Sequence, residues 1–267
     1  MIARDPANFD RLTRRVRITG VITSQTGLRV GAGKGGSEDA VDLPVLRDAD
    51  GFPFIPGASI KGVLRSTLES LLPGSLADDG VLWACNPLDE RQNCGYHESG
   101  KRAYVQTNRH CTVCAMFGSH IVASHVRFSD AMALDRDMEK SIPIGRRDGV
   151  AIDRDLKSAH DKTKYDFQVV PPGTRFSLEI FADNVEDMQL GLLKVALDQL
   201  NEGFAALGGF TSRGLGRVSV SISEVLDIDP RQVLITAALP SPVVNTNLDS
   251  LFAKWQSAVA TTSAKGA

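Results

Sequence analysis

Cys85, Cys94, Cys111 and Cys114 are the residues whose type and spacing specify chemistry most directly. Cys111 and Cys114 form a Cys-x-x-Cys knuckle, from which two thiolates can chelate one ion out of a tight turn while a distant pair completes a tetrahedral shell. Cys85 and Cys94 lack knuckle spacing, so His97 and His110 are alternatives for one member of that pair. Four thiolates leave no open position for water, which points to a structural zinc ion rather than a catalytic one. A thioredoxin-like dithiol lacks the strand-to-helix context it would need. The N-terminal segment carries no apolar core with a small-residue cleavage site, so the expectation is a cytoplasmic protein with cysteines reserved for metal.

A second set of residues suits phosphate. In Phe54 to Glu69 a Pro-Gly turn runs into an amphipathic helix, with Ile60, Val63, Leu64, Leu68 and Leu71 on a buried stripe. Lys61 and Arg65 share another face at i and i+4, and Ser59 is the expected N-cap. Free N–H groups, the positive end of the helix dipole and two cations together favour an anion. Solvated surface bases would show the same spacing. Further on, Gly208-Gly-Phe-Thr-Ser-Arg-Gly-Leu-Gly-Arg217 combines four glycines with Arg213 and Arg217 and no acid. Its backbone amides and cations can cradle a sugar-phosphate chain. A polar excursion after Gly145 supplies Arg146, Arg147 and Arg154, interleaved with Asp148, Asp153 and Asp155. An acidic window holds Glu38, Asp39, Asp42, Asp48 and Asp50; among them Asp42 stands out, between Val41 and Leu43 on a stiff apolar segment before Pro44.

The elements that must position these groups follow from patterning. Arg17 to Thr23 alternates as a first strand and leads into a loop, Thr26 to Gly36, with five glycines but without the Walker spacing. Val126 to Ala131 and Arg175 to Phe181 are further strands, the second with Phe176, Leu178 and Ile180 in strict alternation. A second helix carries Leu193, Leu197, Leu200 and Phe204 on one face and ends at Gly208, before the strand Val218 to Val225. The order strand, helix, strand, strand, helix, strand implies an α+β fold with a ferredoxin-like core, the arrangement also used by RNA-recognition domains. The aromatic stacking signature of those domains is missing, which favours backbone recognition over base reading. A tail after Pro240 carries a short helix, Leu248 to Val259, then a flexible end. With 267 residues, 42% of them hydrophobic, and a net charge of −2, the chain has the composition of a globular protein without a uniformly basic coat. No apolar run approaches the roughly 18 residues of a membrane span.

Six motifs in order resemble the RAMP superfamily, and more narrowly the repeated backbone subunit of type III CRISPR effector complexes of the Csm kind. They are Asp42-Leu-Pro-Val-Leu-Arg-Asp48, Ile55-Pro-Gly-Ala-Ser-Ile-Lys-Gly-Val-Leu-Arg65, Cys111-Thr-Val-Cys-Ala-Met-Phe-Gly118, Ile152-Asp-Arg154, Val170-Pro-Pro-Gly-Thr-Arg-Phe176 and the Gly208–Arg217 loop. The resemblance runs from about Val16 to Val225. It implies one RAMP domain over 1–239, with a zinc-binding insertion at about 82–118, a thumb-like arm at about 135–170, and a tail, 240–267, outside it.

The same resemblance implies the roles. Copies of the family's subunit stack along a guide RNA, bind a complementary target RNA, and join other subunits of the complex, with no membrane. Ser59, Lys61, Arg65 and Arg213 would contact the guide, while Arg146, Arg147 and Arg154 would lie near the thumb. Asp42 occupies the position of the aspartate that cuts target RNA with a divalent metal, Mg²⁺ or Mn²⁺, either as proton acceptor or as metal ligand; Asp39 is the next candidate. Lys164 to Val169 departs from the family's Pro-Arg and acidic segment, which implies a thumb of different shape. The alternatives are a guide-binding scaffold without catalysis, a guide-processing endonuclease, and a zinc hydrolase unrelated to RNA. Guide-processing enzymes use a histidine near the N-terminal half, and no histidine here precedes His97.

Overall fold

The computed structural model describes residues 11–33, 41–72, 82–89, 93–94, 110–120, 122–136, 142–150, 164–244 and 246–264. Glu38, Asp39, His97 and Arg154 lie outside the described residues. The chain forms an α+β structure around an antiparallel sheet. Its first strand, β1 (Arg15–Ser24), buries Val16, Ile18, Ile22 and Ser24 on one face, the period-two pattern of a half-buried strand. A register shift between Thr19 and Gly20 lets the backbone at Gly20 approach Ser221 so closely that a Cβ would stand 2.2 Å from its carbonyl oxygen.

The short strand β2 (Phe54–Ile55) and the four-turn helix α1 (Gly57–Leu71) follow. Then come α2 (Thr112–Phe117), β3 (Val126–Phe128) and β4 (Ala131–Met132), which pairs with β2. The hairpin β5 (Gly145–Gly149) and β6 (Tyr165–Val169) stands apart as a two-stranded sheet. The remaining elements are β7 (Arg175–Asp183), α3 (Asp187–Glu202), β8 (Val218–Ile228), α4 (Pro230–Thr236), β9 (Val243–Val244) and α5 (Thr246–Ala264). The main sheet has the order β3-β7-β1-β8-β9, every neighbour antiparallel. α1 packs against β3 and α3, and α3 against β8 and α5. Ile60, Leu64 and Leu68 of α1 and Leu193, Leu197 and Leu200 of α3 enter one hydrophobic core.

Several local expectations are corrected. Ser59 is not the N-cap: α1 begins at Gly57 with Pro56 as its cap, and Ser59 sits inside the first turn, its N–H donating to the Pro56 carbonyl. The sequence misleads because Pro fixes φ near the helical value and starts the helix earlier. Leu71 is 49% exposed, because α1 ends there and the stripe has nothing left to cover it. Phe204 is 82% exposed, since α3 stops at a left-handed Gly203 rather than at Gly208. The stretch Val126 to Ala131 divides into β3 and β4. The tail helix runs beyond Val259, and it docks on α3: Trp255 is buried, and its carbonyl lies where a Cβ on Gly191 would come within 2.5 Å.

Candidate functional site

Asp42 is stitched into a small layer at the end of the sheet where β1 finishes and β7 and β8 begin. The loop leaving β1 exchanges two hydrogen bonds with the segment after β6, Leu28 N–H to the Val170 carbonyl at 2.9 Å and Val170 N–H to Leu28 at 2.8 Å. The segment around Asp42 joins both neighbours, through Leu46 N–H to the Val30 carbonyl (2.8 Å) and Gln168 N–H to the Leu43 carbonyl (3.0 Å). On the other side the Gly-rich loop closes against the same strand: Gly216 N–H donates to Gly27 (2.9 Å) and Gly209 N–H to Arg29 (2.8 Å). Gly208 has φ +82°, and a Cβ there would stand 2.2 Å from the Arg29 carbonyl oxygen, so this loop position requires glycine. Phe167, Val169 and Leu215 form a separate small core under the layer, with Leu43, Tyr165 and Phe210 around it.

Asp42 itself is exposed and held by a reciprocal clasp. Its N–H donates to Asp166 Oδ1 at 2.7 Å, and its Oδ2 accepts the Asp166 N–H at 2.9 Å. Arg146 donates to the second Asp166 oxygen, Oδ2. Asp166 is 7% exposed, so its carboxylate is paired where an unpaired charge would be costly. Among the described residues these two hydrogen bonds are the ones Asp42 makes, and they leave Oδ1 of this exposed residue without a hydrogen-bond donor. Arg147, opposite Phe167 on the hairpin, extends toward Gly27.

Arg213 completes the rim of this layer. It lies over the Phe210 ring, 5.0 Å from the centroid, and donates to the Tyr165 hydroxyl. Arg29 lies over the same ring at 5.0 Å, and burial lowers its pKa from the usual guanidinium value, offset in part by Tyr165. The arrangement thus brings Asp42, Arg146, Arg147 and Arg213 to one end of the sheet. Asp166, Tyr165, Arg29 and Phe210 belong with them and were missed by sequence reasoning. Only Phe210, an aromatic residue inside the Gly-rich motif, carried a visible signal.

Lys61 and Arg65 lie elsewhere, toward the opposite end of β7. Ser124, which accepts from Lys61 Nζ at 2.9 Å, adjoins His125, whose carbonyl receives the Asp183 N–H. The two ends of β7, nine residues long, are roughly 26 Å apart at about 3.3 Å per step. Arg65 is turned inward: Nε donates to Glu69 (2.8 Å), Nη1 to the Gly118 carbonyl (2.8 Å) and Nη2 to Cys114 Sγ (3.5 Å). Burial opposes its charge, but Glu69 and Cys114 outweigh burial, and its pKa is raised. Burial, and then Arg65, lowers the pKa of Lys61. At the start of α1 the Gly57 N–H is taken by Asp130 Oδ1 at 2.7 Å, so a carboxylate of this chain already sits at the helix N-terminus. A Cβ on Gly57 would lie 2.2 Å from the Phe128 carbonyl oxygen, which makes this close approach possible only for glycine.

The cysteines converge beside this face. The ligand atoms of Cys85, Cys94, Cys111 and Cys114 all lie within 4.8 Å of one another, and all four residues are buried. A tetrahedron with metal–sulfur bonds of about 2.3 Å has edges of roughly 3.8 Å, so the four are close enough to hold one ion. His110 does not belong to the group. Local folding explains the placement: Cys111 caps α2 by accepting the Cys114 N–H at 3.2 Å, and Cys94 Sγ accepts the Cys111 N–H at 3.1 Å. Trp83 and Thr112 exchange hydrogen bonds at 3.2 and 3.0 Å, tying the segment that carries Cys85 to the knuckle. Packed this closely the thiols split: hydrogen bonding from Cys114, then Cys85, pushes the Cys111 thiol down, while Cys111 in turn pushes Cys114 and Cys94 up, so one proton is shed before the others. Lys61, Arg65, Cys85, Cys94 and Cys114 line a common cleft of about 520 Å³.

The chain is similar to known proteins over most of its length. Over 216 residues the chain is 27% identical to the CRISPR system Cms endoribonuclease Csm3 of Enterococcus italicus, covering 79% of this chain and 92% of that protein. It is 26% identical over 223 residues to the protein of the same name from Methanocaldococcus jannaschii, covering 78% and 79%. A stretch of 57 residues, 21% of this chain and 24% of the other, is 50% identical to that of Mycobacterium tuberculosis. The RAMP superfamily model matches residues 21–219, which runs from the last residues of β1 to the start of β8 and takes in both the Asp42 layer and the cysteines: the chain belongs to the RAMP superfamily.

Proposed function

We propose that this chain is a guide-RNA-binding backbone subunit of a type III CRISPR effector complex and cleaves the target RNA paired to the guide, with Asp42 as the catalytic carboxylate. The observation that carries it is the exposed carboxylate of Asp42, held by the Asp166 clasp at the end of the sheet that also carries Arg146, Arg147 and Arg213. The strand order β3-β7-β1-β8, with α1 after β1 and α3 after β7, supports a ferredoxin-like core. The hairpin that carries Arg146 and Arg147 opens into 151–163, outside the described residues, and supports a thumb-like arm. The partners are then a guide RNA, its target, further copies and other subunits, in the cytoplasm. Among the described residues no helix is long and apolar enough to cross a membrane.

Cleavage needs the 2′-oxygen of one nucleotide in line with the next phosphate, a group to receive the 2′-hydroxyl proton, and stabilisation of the phosphorane charge. The 2′-oxygen forms a bond to phosphorus as the bond to the 5′-oxygen breaks, leaving a 2′,3′-cyclic phosphate, and the departing 5′-oxygen takes a proton from water to become a hydroxyl. Asp42 receives the proton directly or serves as a metal ligand, and the arginines offset charge at the phosphate. The exposed carboxylate of Asp42 would suit a hard divalent cation as one oxygen ligand. Mg²⁺ or Mn²⁺ bound there would supply Lewis-acid stabilisation of the phosphoryl oxygens. The cysteine group fits a structural zinc ion, since it offers four soft ligands and no open position.

The test is the assembled complex with Asp42→Ala and labelled target RNA. Cleavage should fall by at least ~10²-fold with target binding intact. Unchanged cleavage would support a non-catalytic scaffold or move catalysis to Asp39.

A further inference from the structure

Arg65 is the α1 base that the phosphate-binding pattern singles out together with Lys61, yet each of its three guanidinium nitrogens has an acceptor inside the protein. The acceptors are Glu69 one turn on, the Gly118 carbonyl directly after α2, and Cys114 Sγ itself. An ion held by four thiolates carries a net charge of about −2, a burden that buried sites disperse through N–H donors and nearby cations. Two such donors are backbone groups: Cys111 N–H reaches Cys94 Sγ, and Cys114 N–H reaches Cys111 Sγ. Among the described residues the side-chain cation donating to a sulfur of the group is Arg65. Its fork is fixed in orientation by Glu69 and Gly118, which a flexible ammonium could not match. Lys61, one turn earlier, points instead to Ser124 Oγ.

We propose that Arg65 is a positioning residue of the metal centre, an outer-shell donor to Cys114 Sγ that ties α1 to the cysteine group, and not a contact to RNA. Only the exclusion from RNA contact rests on the function proposed above. Because the same guanidinium joins α1, the end of α2 and a metal ligand, loss of the ion would loosen the wall of the Lys61 cleft. Metal occupancy and the shape of that basic face are thereby coupled.

The experiment uses the full-length chain loaded with zinc, and reads zinc transfer to a chromogenic chelator in the native protein, Arg65→Met, Arg65→Lys, Glu69→Gln and Lys61→Met. Arg65→Met should weaken zinc retention by ~10- to 100-fold, the range for lost outer-shell partners. Arg65→Lys and Glu69→Gln should change it less, in the same direction, and Lys61→Met should leave it unchanged. With cobalt(II) in place of zinc, the sulfur-to-metal charge-transfer band of Arg65→Met should move to lower energy, since the sulfur loses a hydrogen-bond donor. A purely structural role would not move it. Native zinc retention in Arg65→Met overturns the assignment; if that variant does not fold, native retention and an unshifted band in both Arg65→Lys and Glu69→Gln overturn it. The RNA half is read separately, in the complex with zinc saturating: guide retention equal to the native protein is expected for Arg65→Met. Loss of guide RNA with the metal site full would make Arg65 an RNA contact and overturn that half alone.

Discussion

Two basic regions lie near opposite ends of β7, and they differ in where their cations direct their hydrogen bonds. Beside the cysteines, Arg65 donates from all three guanidinium nitrogens to groups of the chain, and the helix N-terminus beside it is filled by Asp130. At the Asp42 end, Arg146, Arg147 and Arg213 are exposed. Arg146 is paired to one carboxylate and Arg213 rests on Phe210 and Tyr165. In the first region the guanidinium is committed to acceptors of the chain; in the second, three exposed arginines share one end of the sheet with the exposed carboxylate of Asp42. A cation at helical spacing therefore says little about its task until its acceptors are known. The same number of positive charges can be internal scaffolding or a phosphate surface.

The largest effect that should separate the regions is metal removal. Cys111→Ser should reduce bound zinc from about one per chain to near zero and destabilise the fold by more than ~5 kcal/mol, given the ~10–16 kcal/mol with which zinc-finger peptides bind their ion. Metal analysis and thermal unfolding check it. A variant with native stability would make the cysteine group ornamental. Next comes Asp166→Asn, which keeps an acceptor for the Asp42 N–H but loses the charged partner of Arg146. Target cleavage should fall ~10- to 100-fold through misplacement of Asp42, with zinc content and guide retention unchanged. Recovery of cleavage at higher Mg²⁺ would sharpen Asp42 as a ligand, whereas a shifted pH profile would sharpen it as a base. The smallest effect concerns the Gly-rich loop alone. Gly216→Ala places a Cβ 2.2 Å from the Leu207 carbonyl oxygen at φ +87°, while Gly214, at φ +81°, has nothing within 4 Å of the added carbon. Gly214→Ala should cost about 1–2 kcal/mol for the left-handed backbone, and Gly216→Ala about 1–3 kcal/mol more for the clash. Denaturant midpoints measure both, and equal costs would mean that the loop does not pack on Leu207 as described.

The main strands and helices were legible because their periodicity is local. Phe176, Leu178 and Ile180 alternate on β7, and Leu193, Leu197 and Leu200 recur on α3, so side-chain pattern alone specified the faces. The cysteine group was legible for the same reason, since knuckle spacing is a local constraint, although the choice between cysteine and histidine for the distant pair depended on folding. What remained hidden is long-range. Asp166 lies 124 residues from the Asp42 it clasps, and no spacing rule connects them. Ser59 resembled a cap because Ser is favoured there, but Pro56 and the Asp130 carboxylate reached the helix start first. Arg65 had the spacing of a phosphate ligand, and only the acceptors around it, Gly118 and Cys114 among them, reveal its inward turn. Trp255 sat in a tail that the family resemblance left out, yet the small surface at Gly191 gives it a place against α3.

The measurement that tests the central claim most directly is cleavage of labelled target RNA by the assembled complex carrying Asp42→Asn, with target affinity measured on the same preparation. Asn conserves size and the acceptor for the Asp166 N–H but removes the carboxylate charge. The account predicts a loss of cleavage of at least ~10²-fold with affinity for the target and zinc content as in the native complex. Cleavage at the native rate with intact binding would contradict it and remove Asp42 from the chemistry.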